Sequence, residues 1–171
     1  MSFIPGMLLC LSETNRCSAF YCLGERRRDH PEELNDIALN SSIMKITHLD
    51  HIVLTVKNVE ASCTFYTNVL GMQEVTFGHG RKAVIFGNQK INFHQQGQEL
   101  EPKALCPTPG SGDLCFITTN SLADVIQHIH DCEVAIIEEP PERTGALGSM
   151  LSIYIRDPDR NLIEIATYQQ R

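Results

Sequence analysis

From Lys45 onward, apolar and polar positions follow a repeating order. Over Leu49 to Val56, Ile52, Leu54 and Val56 share one face of a strand with Asp50, while His51, Val53 and Thr55 take the other. Asn58 can cap a helix running through Leu70, with Gly71 as its stop. Three short strands are then predicted near Gln73 to Phe77, Lys82 to Phe86 and Gln89 to His94, punctuated by Gly78, Gly80 and Gly87. These make a βαβββ unit over residues 45–97.

Residues 98–111 hold Pro102, Pro107 and Pro109 and read as a linker. The same order then returns over residues 112–171. Leu114 and Phe116 alternate with Asp113, Cys115 and Ile117, and Ser121 with Asp124 three residues on opens a helix to about Cys132. Strands are predicted near Glu133 to Glu138, Ser149 to Arg156 and Asn161 to Tyr168, the last two joined by the turn residues Asp157, Pro158, Asp159 and Arg160. Two units of roughly sixty residues are each too small to stand alone, so one doubled α+β domain is expected.

Residues 1–44 lack this regularity. An apolar stretch from Phe3 to Leu11 is broken by Pro5 and Gly6, and Arg26, Arg27 and Arg28 follow it instead of preceding it, unlike a secretory signal. Glu13, Glu25 and Asp29 interrupt the acid-poor pattern of a mitochondrial presequence. The expectation is a flexible extension on a cytoplasmic protein, with a mitochondrial location left open. Met44 is a candidate alternative start.

Composition narrows the partners. A net charge of −7 offers no basic field for a polyanion, so nucleic acid is not expected, and no apolar run reaches the roughly 18 residues of a membrane span. A small-molecule substrate is the expected partner. Seven cysteines, an odd number without a Cys-x-x-Cys pair, fit a reduced chain better than a disulfide framework or structural zinc site.

Chemistry enters where polar residues interrupt the strands. His51 and Asp113 hold matching places on the first strands of the two units, and a duplicated fold would bring them together. Glu164 is a carboxylate in an apolar strand, costly there without a partner. In the corresponding strand of the first unit, Asn92 or His94 can take its place, His94 being the better ligand. Imidazoles and carboxylates with open positions suit a divalent metal. Tyr154 and Arg156 share a strand face that can line a pocket, and Arg143 with Gly145 and Gly148 suggests a loop able to hold an anionic substrate. Lys82 and Lys90 read as solvated, and His79, His128 and His130 as surface residues.

The runs Leu49 to Val56, Phe65-Tyr66 through Leu70-Gly71-Met72, and Arg156-Asp157-Pro158-Asp159-Arg160-Asn161-Leu162-Ile163-Glu164 resemble the glyoxalase and extradiol dioxygenase superfamily, the vicinal oxygen chelate proteins. The likeness spans about residues 46–168. It implies paired βαβββ modules curling into a cup-shaped, partly closed mixed sheet with a metal on its floor. By position, the resemblance makes His51 and Glu164 ligands, with Asp113 standing where the family usually has histidine and His94 or Asn92 where glyoxalase I has glutamate. Glu164 would also move a proton. The implied cofactor is a divalent ion, with iron, manganese, nickel, zinc and magnesium all open, and the implied assembly is a homodimer. The resulting expectation is a lyase, isomerase or dioxygenase acting on a small oxygen-rich or thiol-conjugated substrate. The alternative is a binding module that keeps the fold without turnover.

Overall fold

The computed structural model describes residues 44–138 and 142–169. The expected extension and its cysteines Cys10, Cys17 and Cys22 therefore lie outside the described residues. Lys45–Arg171 forms one compact unit. No helix among the described residues is long and apolar enough to cross a membrane.

The first module runs β1 (His51–Val56), α1 (Val59–Asn68), β2 (Gln73–Phe77), β3 (Arg81–Phe86) and β4 (Gln89–Gln95). The second runs β5 (Asp113–Ile117), α2 (Leu122–Asp131), β6 (Glu142–Gly145), β7 (Gly148–Arg156) and β8 (Leu162–Tyr168). Each module builds its own four-stranded mixed sheet, ordered β1-β4-β3-β2 and β5-β8-β7-β6. In both, the first and last strands pair in parallel, which requires the crossover that the helix supplies.

Local chemistry sets the helix limits. Asn58 accepts a hydrogen bond from the Ala61 amide at 3.0 Å, and Ser121 accepts one from the Asp124 amide at 3.2 Å. Gly71 follows α1 at φ +66, a left-handed conformation that glycine takes without steric cost. Each helix then buries one side, Cys63 and Tyr66 on α1 and Val125 and Ile129 on α2.

The apolar positions of both modules meet in one core. Val56, Val84 and Ile91 of the first sheet and Ile153, Ile155 and Ile163 of the second are fully buried in it, together with the inward residues of both helices. Each buried isoleucine contributes about 1.5–3 kcal/mol relative to exposure. Phe86 and Phe116 meet edge to face at 5.2 Å across the modules. Since both helix-covered faces join this core, the opposite faces of the sheets turn away from it.

A second tie is polar. In the β7–β8 turn Pro158 and Arg160 are exposed, but Asp157 and Asp159 are each only 4% exposed and Asn161 only 1%. Asp157 Oδ1 accepts from the amides of Asp159 and Asn161, and its Oδ2 accepts from Asn161 Nδ2 and the Tyr66 hydroxyl. Asp159 accepts the Lys57 amide with both oxygens at 3.1 Å. The residues expected as the β7–β8 turn form it, and two of them also pin the second module to the first.

Two expectations are corrected. Glu133 to Glu138 is no strand: Glu133 turns left-handed at φ +57, and only Glu138 forms an isolated bridge, with Tyr154. Val134 and Ile136 do alternate inward onto the core, so the pattern recorded side-chain burial without backbone pairing. The pairing place beside β7 belongs to β6, Glu142–Gly145, which joins β7 as a hairpin. The segment expected as an open anion-binding loop, Arg143 to Gly148, is that hairpin, with Thr144 paired to Ser149 and Gly145 to Gly148.

Candidate functional site

Strand register decides which polar side chains share a face. On β1 and β4, His51 lies beside Lys90, Val53 beside Asn92 and Thr55 beside His94. On β5 and β8, Asp113 lies beside Leu162, Cys115 beside Glu164 and Ile117 beside Ala166. Aligning these two ladders makes His51 the counterpart of Asp113, as their matching places predict. It makes Asn92 the counterpart of Glu164 and gives His94 the place of Ala166. The alternatives left by the sequence thus separate by register.

In the first module, His51 is half-exposed and its Nδ1 donates to Asp50 Oδ1 at 2.6 Å. That bond holds the Asp50 carboxyl below its usual range and leaves His51 Nε2 with a free lone pair. Asn92 Oδ1 is buried without a hydrogen-bond partner. His51, Asn92 and His94 line a cavity of about 180 Å³ with Phe77, Arg81 and the linker residues Leu100 to Pro102.

In the second module, Glu164 is flanked by Cys115 on β5 and Tyr154 on β7. Its Oε1 is buried and unpartnered. Desolvation, reinforced by the negative Glu164, pushes the Cys115 thiol up to about 12. Desolvation also raises the Tyr154 hydroxyl, against the opposing effect of its bond from Arg143. Arg143 donates from Nε to the Tyr154 hydroxyl at 3.1 Å and from Nη2 to Glu138 at 3.3 Å, with its guanidinium 5.6 Å from the Tyr154 ring centre. Arg156 is turned to the β7–β8 turn, donating to the Arg160 carbonyl at 3.1 Å. Ser152 Oγ, two residues from Tyr154, is a further buried polar atom without a partner.

The donor types suit a divalent ion: an imidazole oriented by a carboxylate, and a carboxylate oxygen buried with nothing bonded to it. The geometry of a single chain does not complete the set. Among the described residues no three of His, Cys, Asp and Glu converge on a common point. The physical reason lies in the core. His51 and Asn92 stand on one sheet and Asp113, Cys115 and Glu164 on the other, each on the face turned away from the shared interior.

Sequence reading missed three participants here. Cys115 was legible in principle, two residues from Asp113 and hence on its face. Arg81 and Lys90 were not, because their common neighbour Phe77 is reached only through the folded sheet. His128 is exposed, as expected of a surface residue, and its Nε2 also donates to the Val69 carbonyl at 3.0 Å.

The chain matches the family model described as Glyoxalase/Bleomycin resistance protein/Dioxygenase superfamily over residues 48–165. It is 57% identical over 125 residues to Virulence protein STM3117 of Salmonella typhimurium, covering 73% of this chain and 87% of that protein. It is 52% identical over 126 residues to Glyoxalase domain-containing protein RDO1 of Mycosarcoma maydis, covering 74% and 71%. The crystal structure of STM3117 aligns with a TM-score of 0.73 at 56% identity, over 74% of this chain and 100% of that one. The fold is also that of a lactoylglutathione lyase from Agrobacterium tumefaciens, at 20% identity and TM-score 0.56 over 72% of this chain and 96% of that one. The paired modules, their two mixed sheets and these likenesses agree: the chain belongs to the glyoxalase/bleomycin resistance protein/dioxygenase superfamily.

Proposed function

We propose that this protein is a divalent-metal-dependent lyase or isomerase of the glyoxalase type, acting on a small oxygen-rich or thiol-conjugated substrate. The observation that carries the reading is Glu164: a carboxylate oxygen buried without a partner is costly, and a cation relieves that cost. His51, with Nδ1 held by Asp50 and Nε2 free, is the matching imidazole. The metal set is His51 and Glu164, with Asp113 and either Asn92 or His94 as further candidates.

A divalent ion between these side chains would hold two adjacent substrate oxygens and stabilise negative charge developing on them. Glu164 would accept a proton from one substrate carbon and return it to the next. Tyr154, oriented by Arg143, would hold the substrate beside Glu164. The cup is proposed to close in a homodimer, the first-module face of one copy meeting the second-module face of another. Two features support this: the two polar faces turn away from one core, and β1 and β5 both stand at the ends of their sheets.

The test is metal content and mass in solution for the whole chain, loaded separately with nickel, zinc, manganese, magnesium and ferrous iron, beside His51→Ala and Glu164→Gln. Near-stoichiometric metal in a dimer, lost in both variants, is expected, with turnover of a hemithioacetal and no oxygen uptake. Oxygen consumption would move the assignment to a dioxygenase. A chain binding none of these ions would overturn the proposal in favour of a binding module without turnover, a reading favoured by Asp113 in the usual place of a histidine.

A further inference from the structure

The face of the first sheet turned from the core is selectively cationic. The registers put the two cations Arg81 and Lys90 on it, beside the imidazoles of His51 and His94, and no carboxylate among its strand positions, in a chain whose net charge is −7. Arg81 and Lys90 gather on one ring. The Arg81 guanidinium carbon lies 4.4 Å and the Lys90 Nζ 4.3 Å from the Phe77 ring centre. Ring faces attract cations, yet two cations on one ring repel each other.

Among the described residues, neither is within ion-pair distance of a carboxylate. Two acids border this face and both are otherwise engaged: Asp50, whose carbonyl accepts the Lys90 amide, with His51, and Glu101 of the cavity wall with Lys103 at 3.6 Å. Arg81 bonds only the Gly78 carbonyl, through Nε, at 3.1 Å, which leaves its terminal nitrogens available. Phe77 and Arg81 line the same cavity as Asn92, whose Oδ1 is buried and lacks a donor. A buried acceptor without a donor is costly, so the cavity calls for a hydroxyl or amine hydrogen beside its positive wall.

We propose that this cavity is an anion subsite that takes the end of a small hydroxy carboxylate. The carboxylate lies against Arg81 in the cavity wall, Lys90 adds positive charge from its place on the shared Phe77 ring outside the lining, and the neighbouring hydroxyl donates to Asn92 Oδ1. At about 180 Å³ the cavity is smaller than a complete ligand pocket of about 300–1,000 Å³, so it grips one end of a molecule whose remainder extends along the face. This assignment rests on the proposed substrate cup and names the class of molecule that enters it.

The experiment is a backbone-amide NMR titration of the whole chain, freed of metal by a chelator, with glycolate, acetate, glycolamide and glycerol 3-phosphate. Glycolate is expected to give saturable shifts at Arg81, Lys90 and Asn92. Acetate, lacking the hydroxyl, binds several-fold more weakly, and uncharged glycolamide at least tenfold more weakly. The double variant Arg81→Gln/Lys90→Gln weakens glycolate at least tenfold, and Asn92→Ala abolishes the preference over acetate. Equal shifts with glycolamide, an unchanged affinity in the double variant, or no saturable shift would each overturn the subsite. Tighter binding of glycerol 3-phosphate than of glycolate would overturn its assignment to a carboxylate. Because no metal is present, these outcomes stand apart from the metal titration: an intact chain that binds no ion fails the cup, whereas ion binding kept with no glycolate binding fails this subsite alone.

Discussion

The Tyr66 hydroxyl, on the helix of the first module, donates to Asp157 Oδ2 at 3.1 Å in the β7–β8 turn of the second. Both residues are buried, and the bond joins positions 91 residues apart. It closes a set in which Asp157 also holds two backbone amides and the Asn161 side chain. Tyr66→Phe removes the donor while keeping the ring against Phe93. A loss of about 1–3 kcal/mol is expected, read as a lower urea midpoint without change of slope.

The same phenol makes stability depend on pH at the alkaline end. Burial and the negative charge of Asp157 hold Tyr66 protonated far above the usual phenol value of about 10, which applies once the chain unfolds. The folded state therefore keeps a proton that the unfolded state releases, so stability is full below pH about 10 and falls as pH rises beyond it. Denaturation midpoints between pH 8 and 11 should show this fall, and Tyr66→Phe should show a shallower one.

Gly110 sits at φ +78, and a Cβ there would lie 2.5 Å from the Asp159 carbonyl oxygen. Only glycine takes this conformation at that separation. Gly110→Ala should cost more than the roughly 1–2 kcal/mol of left-handed strain alone, because Asp159 is held in place, its amide donating to Asp157 Oδ1 and its carboxylate accepting from the Lys57 amide. Thermal melts of this variant beside Gly97→Ala test the difference. Gly97 is also left-handed, at φ +78, but has open space where a Cβ would stand.

Cys115 reports on Glu164 without any need for activity. At pH 8 a thiol pushed up to about 12 is almost wholly protonated and slow to alkylate. Glu164→Gln removes the negative neighbour and should speed iodoacetamide labelling of Cys115 several-fold, followed by peptide mass spectrometry with Cys106 as an internal reference. An unchanged rate would mean that Glu164 does not act on Cys115 in solution.

Asn58 offers a local comparison. Its side chain caps α1 through the Ala61 amide alone, so Asn58→Ala should cost about 1 kcal/mol in a denaturant titration.

The sequence by itself determined the elements whose signals are local. Asn58 and Ser121 as caps, Gly71 as a stop, and the period-two strands on either side of a proline-bearing linker were enough to write two βαβββ units, because capping and alternation act between near neighbours. The same alternation put His51 and Glu164 on definite strand faces. It failed at Val134 and Ile136, where inward-pointing side chains imitate a strand although their backbone joins no ladder. Register was beyond it: that Asn92 rather than His94 answers to Glu164, or that Glu164 has Cys115 and Tyr154 as neighbours, follows from hydrogen bonds between strands distant along the chain. Tertiary structure alone turned Asp157 from a turn residue into a buried acceptor for Tyr66. It also set the polar faces of the two modules away from one interior, since both apolar faces leave water most completely by sharing a single core.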